Sequence, residues 1–212
     1  RALFLDRLTV AIAHAERQQQ WLAVLFIDVD DLKMVNDTLG HATGDELLSR
    51  LAGRLSDLIR RGDTVARVGG DEFLILLPEI HNEHDATVIT QKILERVSAP
   101  FVVNGEELHI TSSIGVSLYP NDGIDADTLI RNSDGALYRV KDKGGNMFQL
   151  SSPLANRSPG RTSLAQALRN ATDRDQILLP YTPQTSLPHG PHRAAAPRLR
   201  RPPTPRPTHP PR

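Results

Sequence analysis

The chain of 212 residues is 39% hydrophobic and 24% charged, with no cysteine and a formal net charge of zero, a length that allows one well-buried domain plus a remainder. The lack of cysteine excludes disulfides, a thiol nucleophile and a thiolate metal site, and no apolar run approaches the roughly 18 residues of a membrane span. Residues 185–212 hold six Arg and no acid, leaving −6 on the rest, which argues against broad nucleic-acid binding but not against nucleotides whose charge a metal ion offsets.

In chain order, Leu3, Leu5, Leu8, Val10, Ala11 and Ile12 give a mostly helical apolar pattern, with no basic segment before an apolar core and so no signal peptide expected. Trp21 to Ile27 is a nearly unbroken apolar run and predicts a strand buried on both faces. Leu39 to Ile59 predicts a helix whose stripe is Leu47, Leu48, Leu51, Leu55 and Ile59. Thr64–Val68 and Phe73–Leu77 predict two strands around a Gly69-Gly70 hairpin turn. Ala86 to Val97 is a further helix, and Phe101–Val103 and Glu106–Ile110 flank Asn104-Gly105, a strong hairpin signal. Thr111 to Leu118 predicts a strand ended by Pro120-Asn121-Asp122-Gly123. Asp127 to Lys141 predicts a helix and Asn146 to Leu150 a last short strand. This order implies an α/β layer fold with a mixed sheet.

Composition changes after Leu150. Residues 151–162 form a Ser-, Pro- and Asn-containing linker, and Leu164 to Ala171 is a short helical stretch before Ile177-Leu178-Leu179. From Thr185 onward nine of 28 residues are Pro. Such a segment buries too little apolar surface to offset its chain entropy, so it is expected to be disordered.

Four clusters carry chemistry. Asp28-Val29-Asp30 ends the buried strand, and carboxylates there lie at the sheet edge where open α/β folds bind ligands. Magnesium is held by one or two carboxylates and completes its shell with substrate phosphates; such acids equally well end a strand and open a turn. Asp71-Glu72 follows the glycine pair, which permits a tight turn and close ligand approach. These acids bring a second ligand to a metal at Asp28, or simply decorate an exposed turn. Lys33 suits metal-bound phosphates, Asn36 and Asp45 suit a guanine edge, and Leu32–Asp37 offers backbone N–H groups at a helix start; a solvated polar loop has the same composition. Lys141, with Lys143, ends the last long helix, where a lysine neutralises phosphate or the helix dipole.

Together these blocks resemble a known family. Gly69-Gly70-Asp71-Glu72-Phe73 spells GGDEF, the name motif of the diguanylate cyclase domain, inside Ala66-Arg67-Val68-Gly69-Gly70-Asp71-Glu72-Phe73. Phe26 to Asp37, Gly40-His41-Ala42-Thr43-Gly44-Asp45, Ser113 to Ser117 and Ala136 to Lys141 match further family blocks in order. The resemblance covers residues 1–150. It implies an α+β fold like a polymerase palm or nucleotidyl cyclase, with a mostly antiparallel central sheet surrounded by helices. It further implies magnesium (or manganese) held by Asp28, Asp71 and the Val29 carbonyl, with Glu72 beside them for metal binding or proton removal. Lys33 and Lys141 would hold phosphates, with Gly69 and Gly70 lining the substrate, and Asn36 and Asp45 would select guanine. The implied activity is diguanylate cyclase: two GTP molecules become cyclic di-GMP at a homodimer interface.

Arg60-Arg61-Gly62-Asp63 resembles the family's RxxD inhibitory motif, which implies product binding at Arg60 and Asp63. The same residues also fit the last turn and glycine C-cap of a helix. Two departures stand out. The family's Leu-Thr-Gly-Leu-Pro-Asn turn does not precede Arg1, and Gly145 stands where the family usually has arginine, so weaker GTP binding is expected. Residues 163–184 resemble the opening of an EAL phosphodiesterase domain, without its Glu-Ala-Leu metal motif, and the tail has the composition of a shifted reading frame. A different class of function, a GTP- or cyclic di-GMP-binding module that regulates a neighbouring domain, accounts for Gly145 and the EAL-like stretch. The resemblance implies a cytoplasmic domain and, in the full-length protein, an upstream sensor domain with a membrane anchor as one arrangement.

Overall fold

The structure, a computed structural model, describes residues 1–151, 181–184 and 194–197. The chain divides into two units, Arg1–Ser158 and Pro159–Arg212. In the first, the elements run α1 (Ala2–Gln18), β1 (Trp21–Val29), α2 (Leu32–Leu39), α3 (His41–Leu58), β2 (Thr64–Gly69), β3 (Glu72–Ile80) and α4 (Glu83–Val97). They continue with β4 (Phe101–Val103), β5 (Glu106–Leu108), β6 (Ser112–Tyr119), α5 (Ala126–Asp142) and β7 (Phe148–Leu150). Five strands form one sheet in the order β2-β3-β1-β6-β7, antiparallel except for the β6–β7 pair. The fold is therefore α+β, with a mostly antiparallel central sheet flanked by helices, as the sequence resemblance implies.

The hydrophobic run of β1 is central because apolar residues on both faces need cover on both sides. Ala23, Leu25, Ile27 and Val29 point into a core shared with α3 and α4. Leu22, Val24 and Phe26 point into a second core with α1 and α5. The helices answer with stripes at helical spacing: Phe4, Leu8, Ala11 and Ala15 on α1, and Leu47, Leu48, Leu51 and Leu55 on α3. Asn82 and Asp125 cap α4 and α5 by accepting from the Asp85 and Thr128 amides.

The helix expected over Leu39 to Ile59 is α3, and Gly40, with φ 85°, turns the chain between it and α2. Leu32–Asp37 opens α2, the helix-start alternative rather than the polar loop. One detail of this first unit differs from the sequence expectations. Arg60 and Arg61 are not in the last turn of a helix: α3 ends at Leu58, Ile59 is extended, and Gly62 lies inside a turn in which the Asp63 amide donates to the Arg60 carbonyl (2.9 Å).

In the second unit, β8 (Tyr181–Gln184) pairs antiparallel with β9 (Ala194–Pro197). A strand thus stands in the tail whose proline content predicts disorder. The expected linker and the helical stretch Leu164 to Ala171 lie outside the described residues. No helix among the described residues is long and apolar enough to cross a membrane.

Candidate active site at the carboxyl end of β1

Antiparallel pairing places Asp28 opposite Glu72 on β3 and opposite Ser113 on β6. Directly opposed residues share a face, so Glu72, Asp28 and Ser113 form a row across the sheet, on the side covered by α5. That helix lies close because of Gly115. A Cβ there would stand 2.0 Å from the Ser133 carbonyl oxygen and 2.3 Å from the Leu137 amide nitrogen.

The close approach brings Lys141, in the last turn of α5, to the end of β1. Its Nζ lies 2.5 Å from Asp28 Oδ1. Asp28 is only 6% exposed, and Oδ1 has no aligned hydrogen-bond donor, so the contact is an ion pair. Burial pushes the Asp28 carboxyl up to about 6, against the pull of Lys141 and with Asp71 and Asp30 adding to the rise. Burial also raises the Glu72 carboxyl, helped by Asp71 and Asp134.

The glycine turn delivers Asp71. Gly70 takes φ 35°, Arg67 Nε closes the turn on the Gly70 carbonyl at 2.9 Å, and the Val29 amide donates to the Asp71 carbonyl at 3.2 Å. The backbone of the motif is therefore fastened to the end of β1, next to Asp28. A buried carboxylate held by an ammonium at 2.5 Å, beside the acids Asp71 and Glu72, suits a hard divalent cation. Among the described residues no group of three or more acidic or histidine side chains forms a metal cage.

Lys33 lies exposed in the first turn of α2, directly after this edge. The start of α2 has no side-chain cap; the Met34 amide donates to the Asp31 carbonyl at 2.9 Å, which leaves the Leu32 and Lys33 amides for an anion. Asn36 of α2 is half-buried against α3: a Cβ at Gly44 would fall 1.9 Å from Asn36 Oδ1. Asp45 follows Gly44 and is exposed. The fold thus gathers Asp28, Val29, Gly70, Asp71, Glu72 and Lys141 at one edge, and sets Asn36 beside the residue preceding Asp45.

Arg60 and Asp63 form a separate feature at the opposite end of the β2–β3 hairpin, roughly 20 Å away by the length of β2. Asp63 accepts from Arg60 Nε (3.0 Å) and the Arg60 amide (3.1 Å), and Arg60 Nη2 donates to the Glu79 carbonyl. They line an open groove of about 500 Å³ with Glu79, His81, His84 and Val88.

A reading of the sequence alone misses Asp134 and the partners of Asp30. Asp134 of α5 is half-buried, and burial raises its carboxyl against the pull of Lys141. Its position seven residues before Lys141 on the same helix face is the available signal. Asp30, the third residue of the acidic triplet, accepts from Thr111 Oγ1 (2.7 Å), Ser113 Oγ (2.7 Å) and the Asn146 amide (3.1 Å).

The family model for "Diguanylate cyclase, GGDEF domain" matches residues 1–147. MucR of Pseudomonas aeruginosa, a bifunctional diguanylate cyclase/cyclic di-GMP phosphodiesterase, is 42% identical over 193 residues, which cover 90% of this chain and 28% of MucR. NbdA of the same species, a cyclic di-GMP phosphodiesterase, is 38% identical over 170 residues, or 80% of this chain and 22% of NbdA. The chain therefore spans less than a third of these curated relatives. The crystal structure of the GGDEF domain of TpbB (YfiN) from P. aeruginosa aligns with a TM-score of 0.70 and 37% identity, covering 72% of this chain and 95% of that domain. With its motif turn fastened against the acidic end of β1, and with these likenesses in sequence and fold, the chain belongs to the family of diguanylate cyclase GGDEF domains.

Proposed function

We propose that the chain is a diguanylate cyclase that joins two GTP molecules into cyclic di-GMP with release of two pyrophosphates. The observation that carries this reading is the Asp28–Lys141 ion pair beside Glu72 and the glycine turn. It sets an acidic ligand set and a phosphate-binding cation within one contact of each other. In each half of the reaction the 3′-oxygen of one GTP bonds to the α-phosphorus of the other. The bond from that phosphorus to the pyrophosphate oxygen breaks, and the 3′-hydroxyl proton leaves.

Asp28, Asp71 and the Val29 carbonyl hold the metal, with magnesium or manganese filling the role. The bound ion supplies charge stabilisation to the attacking and leaving oxygens. Lys141 and Lys33 would hold the phosphates as point charges. Asn36 and Asp45 read the guanine edge, held in place by the α2–α3 pair. Glu72, with its carboxyl raised by burial, is placed to take the 3′-hydroxyl proton. One domain binds one GTP, so two copies face each other, and positioning dominates the rate. Arg60 and Asp63 bind product in the groove beside Glu79 and restrain synthesis. Residues 163–184 represent the start of an EAL domain, a reading supported by the MucR alignment running well beyond residue 147.

The test is incubation of the purified chain with GTP and magnesium, with chromatographic detection of cyclic di-GMP. Product that disappears in Asp71→Ala is the expected result. GTP binding by calorimetry without turnover at high protein concentration would overturn the cyclase reading in favour of a nucleotide-binding regulatory module.

A further inference from the structure

Asp30 stands one residue past the end of β1 and accepts from Ser113, the residue paired with Asp28 across the sheet. Its carboxylate is engaged on both oxygens. Oδ2 accepts from Thr111 Oγ1 at 2.7 Å and from the Asn146 amide at 3.1 Å, and Oδ1 accepts from Ser113 Oγ at 2.7 Å. The Asp30 amide donates in turn to the Thr111 carbonyl at 3.0 Å. These donors come from two segments far from Asp30 in sequence: the entry to β6 and the loop that follows α5.

That loop is unusual in its backbone. Gly144, Gly145 and Asn146 take φ values of 104°, 75° and 51° in succession. Gly144 and Gly145 take such values without steric cost, but Asn146 carries a Cβ, and the left-handed region is less favourable for it. The Asp30 carboxylate supports that conformation by accepting the Asn146 amide. Gly145 fits closely: a Cβ there would come within 3.1–3.2 Å of both Asp30 oxygens and 3.1 Å of Ser113 Oγ. The loop also closes α5, since the Gly144 amide donates to the Lys141 carbonyl at 3.1 Å and the Gly145 amide to the Val140 carbonyl at 3.1 Å. The end of α5 that carries Lys141 is thus tied through residues 144–146 to the end of β1 that carries Asp28.

We propose that Asp30 is a positioning residue: held by Thr111, Ser113 and the Asn146 amide, which occupy three of its roughly four acceptor positions, it locks the 144–146 loop to β1 and sets where the Lys141 ammonium meets Asp28 and the incoming phosphates. This rests on reading Asp28 and Lys141 as the metal and phosphate site. A carboxylate with three donors in place has little left to offer a cation, so the second acid of the triplet serves geometry while the first serves the ion.

The experiment uses the full chain in two forms, Asp30→Asn and the double variant Thr111→Val/Ser113→Ala, which leaves Asp30 itself intact. Amide hydrogen exchange at Asn146 is read first. Both variants are expected to speed it by about tenfold or more, since charge-assisted hydrogen bonds are lost. Cyclisation kinetics follow, with KM for GTP expected to rise about tenfold and kcat to change less than about threefold, as a loss of binding geometry requires. Unchanged exchange at Asn146 in both variants would overturn the proposal. So would loss of manganese binding in Asp30→Asn with the double variant binding normally, since that pattern marks a metal ligand. If the unaltered chain neither binds GTP nor forms product, the cyclase reading fails, and the Asn146 exchange rates still decide the role of Asp30.

Discussion

Lys141, in the last turn of α5, lies 2.5 Å from Asp28 Oδ1 at the carboxyl end of β1, across 113 residues of chain. Nothing local forces this meeting. It follows from Gly115, which lets α5 settle on β6, and from the β1–β6 register that sets Asp28 opposite Ser113. The ammonium holds the place that a cation and a phosphate would share, so the pair keeps the buried carboxylate compensated until ligands arrive.

Asp28 makes stability depend on pH in a definite direction. Its carboxyl titrates at about 6 in the folded chain, against an ordinary value of 3.8. Between these values the folded state binds more protons than the unfolded one. Stability therefore falls as pH rises from about 4 to about 6, and the deficit persists above that window. Burial raises Glu72 and Asp134 as well, with the same sign. Asp28→Asn removes the largest of these costs and is expected to stabilise the metal-free chain by about 2 kcal/mol at pH 7, and by almost nothing below pH 4. Urea unfolding in chelator at several pH values measures this, and the same variant is expected to lose cyclic di-GMP synthesis. A uniform shift across the pH range would contradict the assignment.

Gly115→Ala tests the contact that brings the two layers together. The added methyl would meet backbone atoms of Ser133 and Leu137, 2.0 and 2.3 Å away, and backbone on a packed helix has little room to yield. The expected loss is about 3 kcal/mol or more, read by chemical denaturation. A variant that keeps wild-type stability would show that α5 does not ride on this glycine.

Much of this arrangement is legible in the sequence, and the remainder is missing for a physical reason. The Trp21 to Ile27 run identifies the central strand because only a strand covered on both faces tolerates it. The glycine pair marks the β2–β3 turn, since positive φ is needed there. The extent of α2 is hidden because Leu32 is its only buried residue, too little for an apolar stripe. The role of Asp30 is hidden more deeply, because its partners Thr111, Ser113 and Asn146 lie 81, 83 and 116 residues away. Side-chain periodicity reports which face is buried; it carries no information on which distant hydroxyl reaches which carboxylate.

Arg60 tests regulation. Its side chain is 55% exposed, but that of its partner Asp63 is only 4% exposed, so Arg60→Ala leaves a buried carboxylate without its cation and is expected to lower unfolding free energy by about 1–3 kcal/mol. The same variant is expected to abolish cyclic di-GMP binding measured by calorimetry and to relieve inhibition at high product. Retained product binding would move the regulatory site elsewhere.

Gly44 separates stability from the proposed nucleotide recognition by Asn36. It lies in α3, where alanine is the better helix former by roughly 1 kcal/mol. An added Cβ, however, would fall 1.9 Å from Asn36 Oδ1 and 3.0 Å from its Cγ. Asn36 is a half-buried side chain on a neighbouring helix and can rotate away, so the backbone need not move. Gly44→Ala is therefore expected to leave stability within about 1 kcal/mol of the parent chain. The displaced amide no longer meets a guanine edge, and affinity for GTP is expected to fall about tenfold, the effect of one lost hydrogen bond in a site that desolvates its partner. Calorimetry with GTP and ATP checks it: discrimination between the two bases should shrink in Gly44→Ala, and unchanged discrimination would remove Asn36 from the guanine site.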